Sequence, residues 1–208
     1  MLSNTNTWKR ISYTLWAPIY DLVVTPLFNQ RRQRSIQLLD LQPGERVLLV
    51  GAGTGLDLDF LPQGPAIVAT DLTPAMIARL QARAQRLGLK VDARVMDGQE
   101  LEFPDGSFDA AILHLIVAVI PDPVRCLREI ARVLRPGGRA VILDKFVPDG
   151  ARTPFVLRLL NPLTSLFGTE ITRKLGPLLA GAGLQIAHEE PAGAGGLLRI
   201  VLVRKANQ

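Results

Sequence analysis

Short runs that are apolar at every position alternate along this chain with stretches of helical spacing, and the alternation predicts a layered α/β arrangement. Val47-Leu-Leu-Val50 is a strand buried on both faces rather than one with a wet side. Ala66-Ile-Val-Ala-Thr-Asp71 repeats the pattern and ends in a carboxylate. Lys90 to Val95, Ala110 to Leu113, Arg139 to Phe146, Leu184 to His188 and Leu197 to Arg204 supply further strands. Helices fall between them. Thr73-Pro74 opens one, with Thr73 as N-cap and Pro74 in the first turn, and it runs to Gly88. Asp122-Pro123 opens a second that ends at Arg135-Pro136-Gly137-Gly138, and Leu175 to Gly183 is a short third. Ahead of the first strand, residues 5 to 40 read as two helices. Trp8, Ile11, Leu15 and Trp16 fall near one face of the first; Leu22 to Leu39 forms the second, interrupted by Pro26, with Arg31, Arg32 and Arg34 on its exposed side. The Pro191 to Gly196 connection is too short for a crossover helix, so the last two strands make an antiparallel hairpin.

Candidate chemistry begins where the first strand stops. Gly51, Gly53 and Gly55 permit a tight turn that lets backbone approach a ligand closely before a helix begins, so the turn is a ligand seat. Asp71 stands about 20 residues past Gly51, at the end of a second parallel strand, where a carboxylate accepts both ribose hydroxyls of an adenosine-type cofactor. A dinucleotide site would read G-x-G-x-x-G, with a pyrophosphate on the helix N-terminus; here the position three after Gly53 is Leu56.

Four motifs carry a resemblance. Val47-Leu-Leu-Val-Gly-Ala-Gly-Thr-Gly55, Thr70-Asp-Leu-Thr-Pro-Ala-Met76, Met96-Asp-Gly-Gln-Glu-Leu-Glu-Phe-Pro-Asp-Gly-Ser-Phe-Asp109 and Arg132-Val-Leu-Arg-Pro-Gly-Gly-Arg-Ala-Val141 resemble, in order and over about half the chain, those of class I S-adenosylmethionine-dependent methyltransferases. Within that superfamily, Tyr13-Thr-Leu-Trp-Ala-Pro-Ile-Tyr-Asp21, the Arg31-Arg32 pair and Val119-Ile-Pro-Asp-Pro123 resemble bacterial phosphatidylethanolamine N-methyltransferases and, less closely, ubiquinone and menaquinone C-methyltransferases.

The resemblance implies a Rossmann-like, seven-stranded, mostly parallel sheet with an antiparallel last strand and helices on both faces. A helical lid over residues 1–40 would cover an S-adenosylmethionine-binding domain over 41–208, the two forming one structural domain. The same resemblance implies cofactor contacts from the turn residues Gly51, Ala52, Gly53, Thr54 and Gly55, and from Asp71 with Leu72 beside it. Met76 would touch the adenine face, or pack the core; Asp97 would accept from the adenine amine while Gly98 and Gln99 line the ring, or would cap its own turn. His114 and Leu115 stand at the cofactor's methionine end, with His114 either lining the active site or sitting as a satisfied core histidine. Tyr13, Tyr20, His114 and Asp144 are the catalytic candidates, able to hold an ammonium or a sulfonium by oxygen or aromatic contact, and Leu115 to Ile120 would line the acceptor entrance. One position departs from the pattern: relatives usually carry an acidic residue two before the first glycine, which helps fix the methionine amine, and this chain has Leu49. Asp57 and Asp59 stand either as substitutes or as ordinary first-turn carboxylates facing a helix dipole.

Composition narrows the rest. A chain of 208 residues is long enough to bury one core, and a single cysteine, Cys126, excludes a disulfide framework and fits a reducing cytoplasm. No uncharged run reaches the length of about 18 to 20 residues needed to cross a bilayer. With only two histidines no metal site is expected. A net charge of +5 suits an anionic partner, and Ala151 to Gly168 is an amphipathic stretch suited to a membrane interface or to lid packing. The expectation is a cytoplasmic protein, free or peripheral at the inner membrane face, that methylates a phospholipid or another lipophilic small molecule and binds no nucleic acid. Two alternatives remain: a soluble C- or O-methyltransferase of a quinone-like or other small molecule, and a non-catalytic S-adenosylmethionine-binding protein.

Overall fold

The buried runs become the middle of a single sheet. The computed structural model describes residues 28–147 and 173–205; Tyr13, Tyr20, most of the expected lid and the amphipathic stretch 151–168 lie outside the described residues. In chain order the elements are α1 (28–38), β1 (Arg46–Val50), a 3-10 turn (Leu56–Phe60), β2 (Ala66–Asp71), α2 (Pro74–Arg86), β3 (Val91–Val95), β4 (Phe108–His114), α3 (Pro123–Val133), β5 (Leu134–Lys145), α4 (Leu175–Ala180), β6 (Leu184–Gly193) and β7 (Leu198–Lys205). The strands form one seven-stranded sheet in the order β3-β2-β1-β4-β5-β7-β6. Pairs from β3 through β5 are parallel; β7 runs antiparallel to both β5 and β6. Strand order reverses between β1 and β4, which puts the crevice for a ligand above the C-terminal ends of those two strands.

Packing follows from alternation along each strand. Val47, Leu49, Ala110, Ile112, Val141 and Leu143 face one side, where Ile36 of α1, Leu39 just past its end and Leu80 of α2 cover them. Leu48, Val50, Ala111, Leu113, Ala140 and Ile142 face the other, under Leu127 and Ile130 of α3 and Leu179 of α4. Burying such a run on both faces contributes about 1.5 to 3 kcal/mol for each large aliphatic side chain. Arg139 ties the C-terminal end of α1 to the opposite edge of the sheet, through Glu45 at 2.8 Å and the carbonyls of Leu39 and Asp40. The N-terminal end of α1 therefore lies at the ligand edge.

Four sequence expectations change. The helix after the glycines is only the five-residue 3-10 turn, because Pro62, Gly64 and Pro65 leave no room for further turns. Arg135-Pro136-Gly137-Gly138 does not follow α3 as a separate turn; α3 stops at Val133 and those four residues bulge out of β5, between the pairs Phe108↔Leu134 and Ala110↔Arg139. The final hairpin reaches further than the patterning suggested, since β6 continues through Pro191 to Gly193 as an exposed edge strand with two register shifts. Arg32, expected on the exposed side of α1, is buried at 6 % relative exposure. Among the described residues no helix is long and apolar enough to cross a membrane, and no cluster of side chains suits a metal ion.

Candidate active site

Glycine shapes the turn after β1 for two different reasons. Gly53 adopts φ +56 with nothing within 4 Å of where a Cβ would stand, so its face is open to a ligand. Gly51, at φ +64, is packed instead: a Cβ there would meet Ile116 at 2.7 Å, which brings the loop after β4 against the loop after β1. Ala52 donates to the Thr70 carbonyl and Gly55 to that of Ala52, while Thr54 is buried.

Asp71 closes the seat from the neighbouring strand. Its Oδ2 accepts the Gly53 N–H and its Oδ1 the Thr73 N–H, both at 2.9 Å, so one carboxylate locks the glycine turn to the start of α2. Thr73 occupies the N-cap position of α2, but its side chain makes no capping bond. Burial pushes the Asp71 carboxyl up, against the pull of those N–H donors. Each oxygen accepts a backbone N–H and retains acceptor capacity, the requirement for gripping the vicinal hydroxyls of a ribose. Leu72 is half-buried beside it, and Met76 lies nine-tenths buried on α2.

The loop after β3 supplies the next wall. Asp97 accepts from the Gln99 N–H at 2.9 Å and from Gln99 Nε2, so the turn-capping alternative is present in the structure, and Gln99 Oε1 passes the contact on to the N–H of Asp122 at 2.8 Å. Gly98 is packed too closely for any side chain: a Cβ would meet Val50 Cγ1 at 2.8 Å. Asp122 caps α3 as its sequence context indicated, accepting from the Arg125 N–H.

At the end of β4 the chain is strained. Leu115 takes φ +59, a left-handed conformation that costs a non-glycine residue on the order of 1 kcal/mol, while its N–H donates to the Leu143 carbonyl. Such outliers gather where a site imposes them. The 115–120 loop then turns inward, with Val117, Ala118 and Ile120 buried and Leu115, Ile116 and Val119 half-buried. Asp144 holds that loop: its oxygens accept the N–H groups of Ala118 and Lys145 at 2.8 Å. Its side chain is enclosed, and burial pushes its carboxyl up.

His114 is also enclosed. Its Nδ1 lies 2.7 Å from Asp57 Oδ1 and its Nε2 2.8 Å from Ser35 Oγ. A carboxylate only accepts, so Nδ1 carries the proton toward Asp57. Arg32 Nη1 donates to the same Asp57 oxygen at 2.6 Å, completing a buried cluster of Arg32, Ser35, Asp57 and His114 that joins α1 to the 3-10 turn and β4. Burial alone would raise the Asp57 carboxyl, but the charges and hydrogen bonds of His114 and Arg32 outweigh it and hold that carboxyl well below the usual range. Asp57 is thus no exposed first-turn carboxylate. Asp59 is closer to that description, paired at the surface with Arg83. Leu49, at 1 % exposure, points into the core beneath α1.

The sequence reading missed this cluster. A signal was available: Arg32 and Ser35 fall on the stripe defined by Phe28, Ile36 and Leu39, and a polar side chain on an apolar stripe marks a buried partner. Cys126, by contrast, is the small buried residue its context suggested, with its thiol pushed up to about 12 by burial.

Residues 48–142 match a family model described as a methyltransferase domain. The chain is 33 % identical, over 89 % of its length and 92 % of the relative's, to a phosphatidylethanolamine N-methyltransferase of Cereibacter sphaeroides. It is 37 % identical to a ubiquinone/menaquinone biosynthesis C-methyltransferase of Geobacter sp. over 64 % of this chain and 60 % of that one. Among solved structures it resembles the geranyl diphosphate C-methyltransferase of Streptomyces coelicolor, crystallised with Mg2+, geranyl-S-thiolodiphosphate and S-adenosyl-L-homocysteine. That superposition gives a TM-score of 0.72 at 14 % identity over 85 % of this chain and 76 % of the other, a likeness of fold.

Proposed function

We propose that this chain, which belongs to the class I S-adenosylmethionine-dependent methyltransferases, methylates the amine of a phospholipid head group at a membrane surface. What carries the choice of acceptor is the reach of the similarity. The phosphatidylethanolamine N-methyltransferase of Cereibacter sphaeroides aligns over 89 % of the chain, beyond the cofactor-binding half, whereas the quinone C-methyltransferase aligns over 64 %.

S-adenosylmethionine supplies, when bound, a methyl group already activated by the charge on sulfur. The protein's share of the work is to seat, align and dry the reacting groups. In this reading Gly51 through Gly55 and Asp71 seat the adenosine, with the open face of Gly53 and the spare lone pairs of Asp71 as the fit. Met76, Asp97, Gly98 and Gln99 enclose the base. Leu115, Ile116 and Val119 form an apolar wall on the acceptor side, and Asp144 keeps that wall in place through the Ala118 N–H rather than touching substrate. His114, with both ring nitrogens bonded to protein, positions the end of β4 and offers its backbone carbonyl, not its ring, to the cofactor. Tyr13 and Tyr20 remain the candidates for holding the acceptor ammonium. A net charge of +5 favours an anionic membrane, so turnover is expected to need acidic lipid and to fall in high salt.

A labelled-methyl assay run in parallel on phosphatidylethanolamine vesicles, soluble quinols and bulk RNA decides the acceptor. Label in the vesicles supports the proposal; label confined to the quinols selects the soluble C-methyltransferase reading, and label only in RNA rejects both.

A further inference from the structure

The cluster of Arg32, Ser35, Asp57 and His114 carries unused chemistry at the ligand edge. Both hydrogen bonds to Asp57 converge on Oδ1, and Oδ2 takes none among the described residues. On Arg32, Nη1 serves Asp57, while Nε is buried and has no acceptor among the described residues. A buried guanidinium N–H that finds nothing costs on the order of 1 to 3 kcal/mol, which a fold tolerates where something else completes the site. A carboxylate with a spare oxygen, held by His114 that Ser35 holds in turn, thus lies beside a guanidinium with a spare donor. That is a template for a group bearing an ammonium and a carboxylate on one carbon.

The edge offers few alternatives for such a group. Of the carboxylates above β1, β2, β4 and β5, Asp71 is committed to the glycine turn and α2, and Asp144 faces the opposite side of the sheet and holds the 115–120 loop. Leu49, near the end of β1, offers no side-chain oxygen. Asp57 follows the glycine turn directly, as the first polar residue past Gly55.

We propose that Asp57 and Arg32 form the clamp for the amino-acid end of S-adenosylmethionine, Asp57 taking the ammonium and Arg32 the carboxylate. The assignment rests on the cofactor reading above, and it makes α1 part of the cofactor site instead of a cover added to it. Asp57 remains ionised throughout the neutral range, as the clamp requires.

Calorimetry with two ligands separates this role from a purely structural one. S-adenosylhomocysteine carries the amino-acid end; 5′-methylthioadenosine lacks it and keeps the adenosine. Asp57→Asn is expected to weaken S-adenosylhomocysteine by about 10- to 100-fold, the worth of a charged hydrogen bond, while leaving 5′-methylthioadenosine within about twofold of the parent. Arg32→Gln/Asp57→Asn removes both charges, so that no lone charge is left buried, and is expected to show the same selective loss. The parent itself gives a third arm: it is expected to bind the decarboxylated analogue of S-adenosylhomocysteine about 10-fold or more weakly than S-adenosylhomocysteine. Equal losses for both ligands in the variants, or a parent that binds 5′-methylthioadenosine but gains nothing from the amino-acid end, overturn the clamp and leave the adenosine site standing. A parent that binds neither ligand overturns both.

Discussion

Asp57 and Asp144 are buried carboxylates at the same edge of the sheet, on its two faces, and they answer burial in opposite ways. Asp57 has a guanidinium at 2.6 Å and an imidazole at 2.7 Å, and its carboxyl is held down. Asp144 has backbone N–H groups and the nearby charge of Lys145; desolvation wins, and its carboxyl is pushed up. Removal from water is the same on both sides. Whether a full cation stands within hydrogen-bonding reach decides the sign. The functional division follows: the α1 face is equipped for a charged ligand end, whereas the α3 face uses its carboxylate to set the shape of a loop.

The widest break in this comparison comes from removing one charge of the pair. Asp57→Leu leaves Arg32 buried without its anion and is expected to cost about 3 to 5 kcal/mol in urea unfolding, whereas Arg32→Leu/Asp57→Leu recovers most of that loss. If the double variant is no more stable than the single, the pair is not what matters.

Acid titration sharpens the contrast further. The stability that Asp57 contributes is complete above the ordinary carboxylate value of about 4 and drains away as pH falls below it, because its folded value lies lower. Asp144 runs the other way: its charge is a cost at neutral pH, relieved as pH falls through its raised folded value toward about 4. Between neutral pH and about pH 4, therefore, unfolding curves should show the stability advantage of Asp144→Asn over the parent shrinking while the deficit of Asp57→Asn stays constant, and below about pH 4 the Asp57→Asn deficit should shrink in its turn. Both differences changing in the same pH window would erase the distinction.

Smaller effects test the seat itself. Gly98→Ala drives a methyl against Val50 and is expected to cost about 1 to 3 kcal/mol by thermal or urea unfolding. Gly53→Ala meets no neighbour and strains only its backbone, for roughly 1 kcal/mol, yet places its methyl on the open face, so its loss of S-adenosylhomocysteine affinity should exceed its loss of stability. Least of all, Arg34→Ala, which breaks the solvent-exposed pair with Glu190, should leave the melting temperature where it was.

Local signals account for what could be read beforehand. The uninterrupted apolar run at Val47 to Val50, the glycines after it and the carboxylate at Asp71 declare a strand, a tight turn and an acid at the end of the next strand within a few residues each, and the shortness of the link before the last strand dictates the antiparallel hairpin. The cluster around Asp57 was not legible in this way, because Arg32, Asp57 and His114 are 25 and 57 residues apart and meet only once α1 is laid across the sheet. His114 shows the same limit: its place at the end of β4 is written in the sequence, but the direction of its ring is set by Ser35, a helix away. The five-residue 3-10 turn was not foreseen because a buried strand ending in a glycine turn suggested a helix to follow, where Pro62 and Pro65 permit only a short one.

The account rests on an adenosine held between the glycine turn and Asp71, and one titration addresses it directly: S-adenosylhomocysteine into the parent and into Asp71→Asn. Saturable binding to the parent, weakened about 10-fold or more in the variant, is the expected result. No heat from the parent, or an Asp71→Asn protein that binds as the parent does, would contradict it.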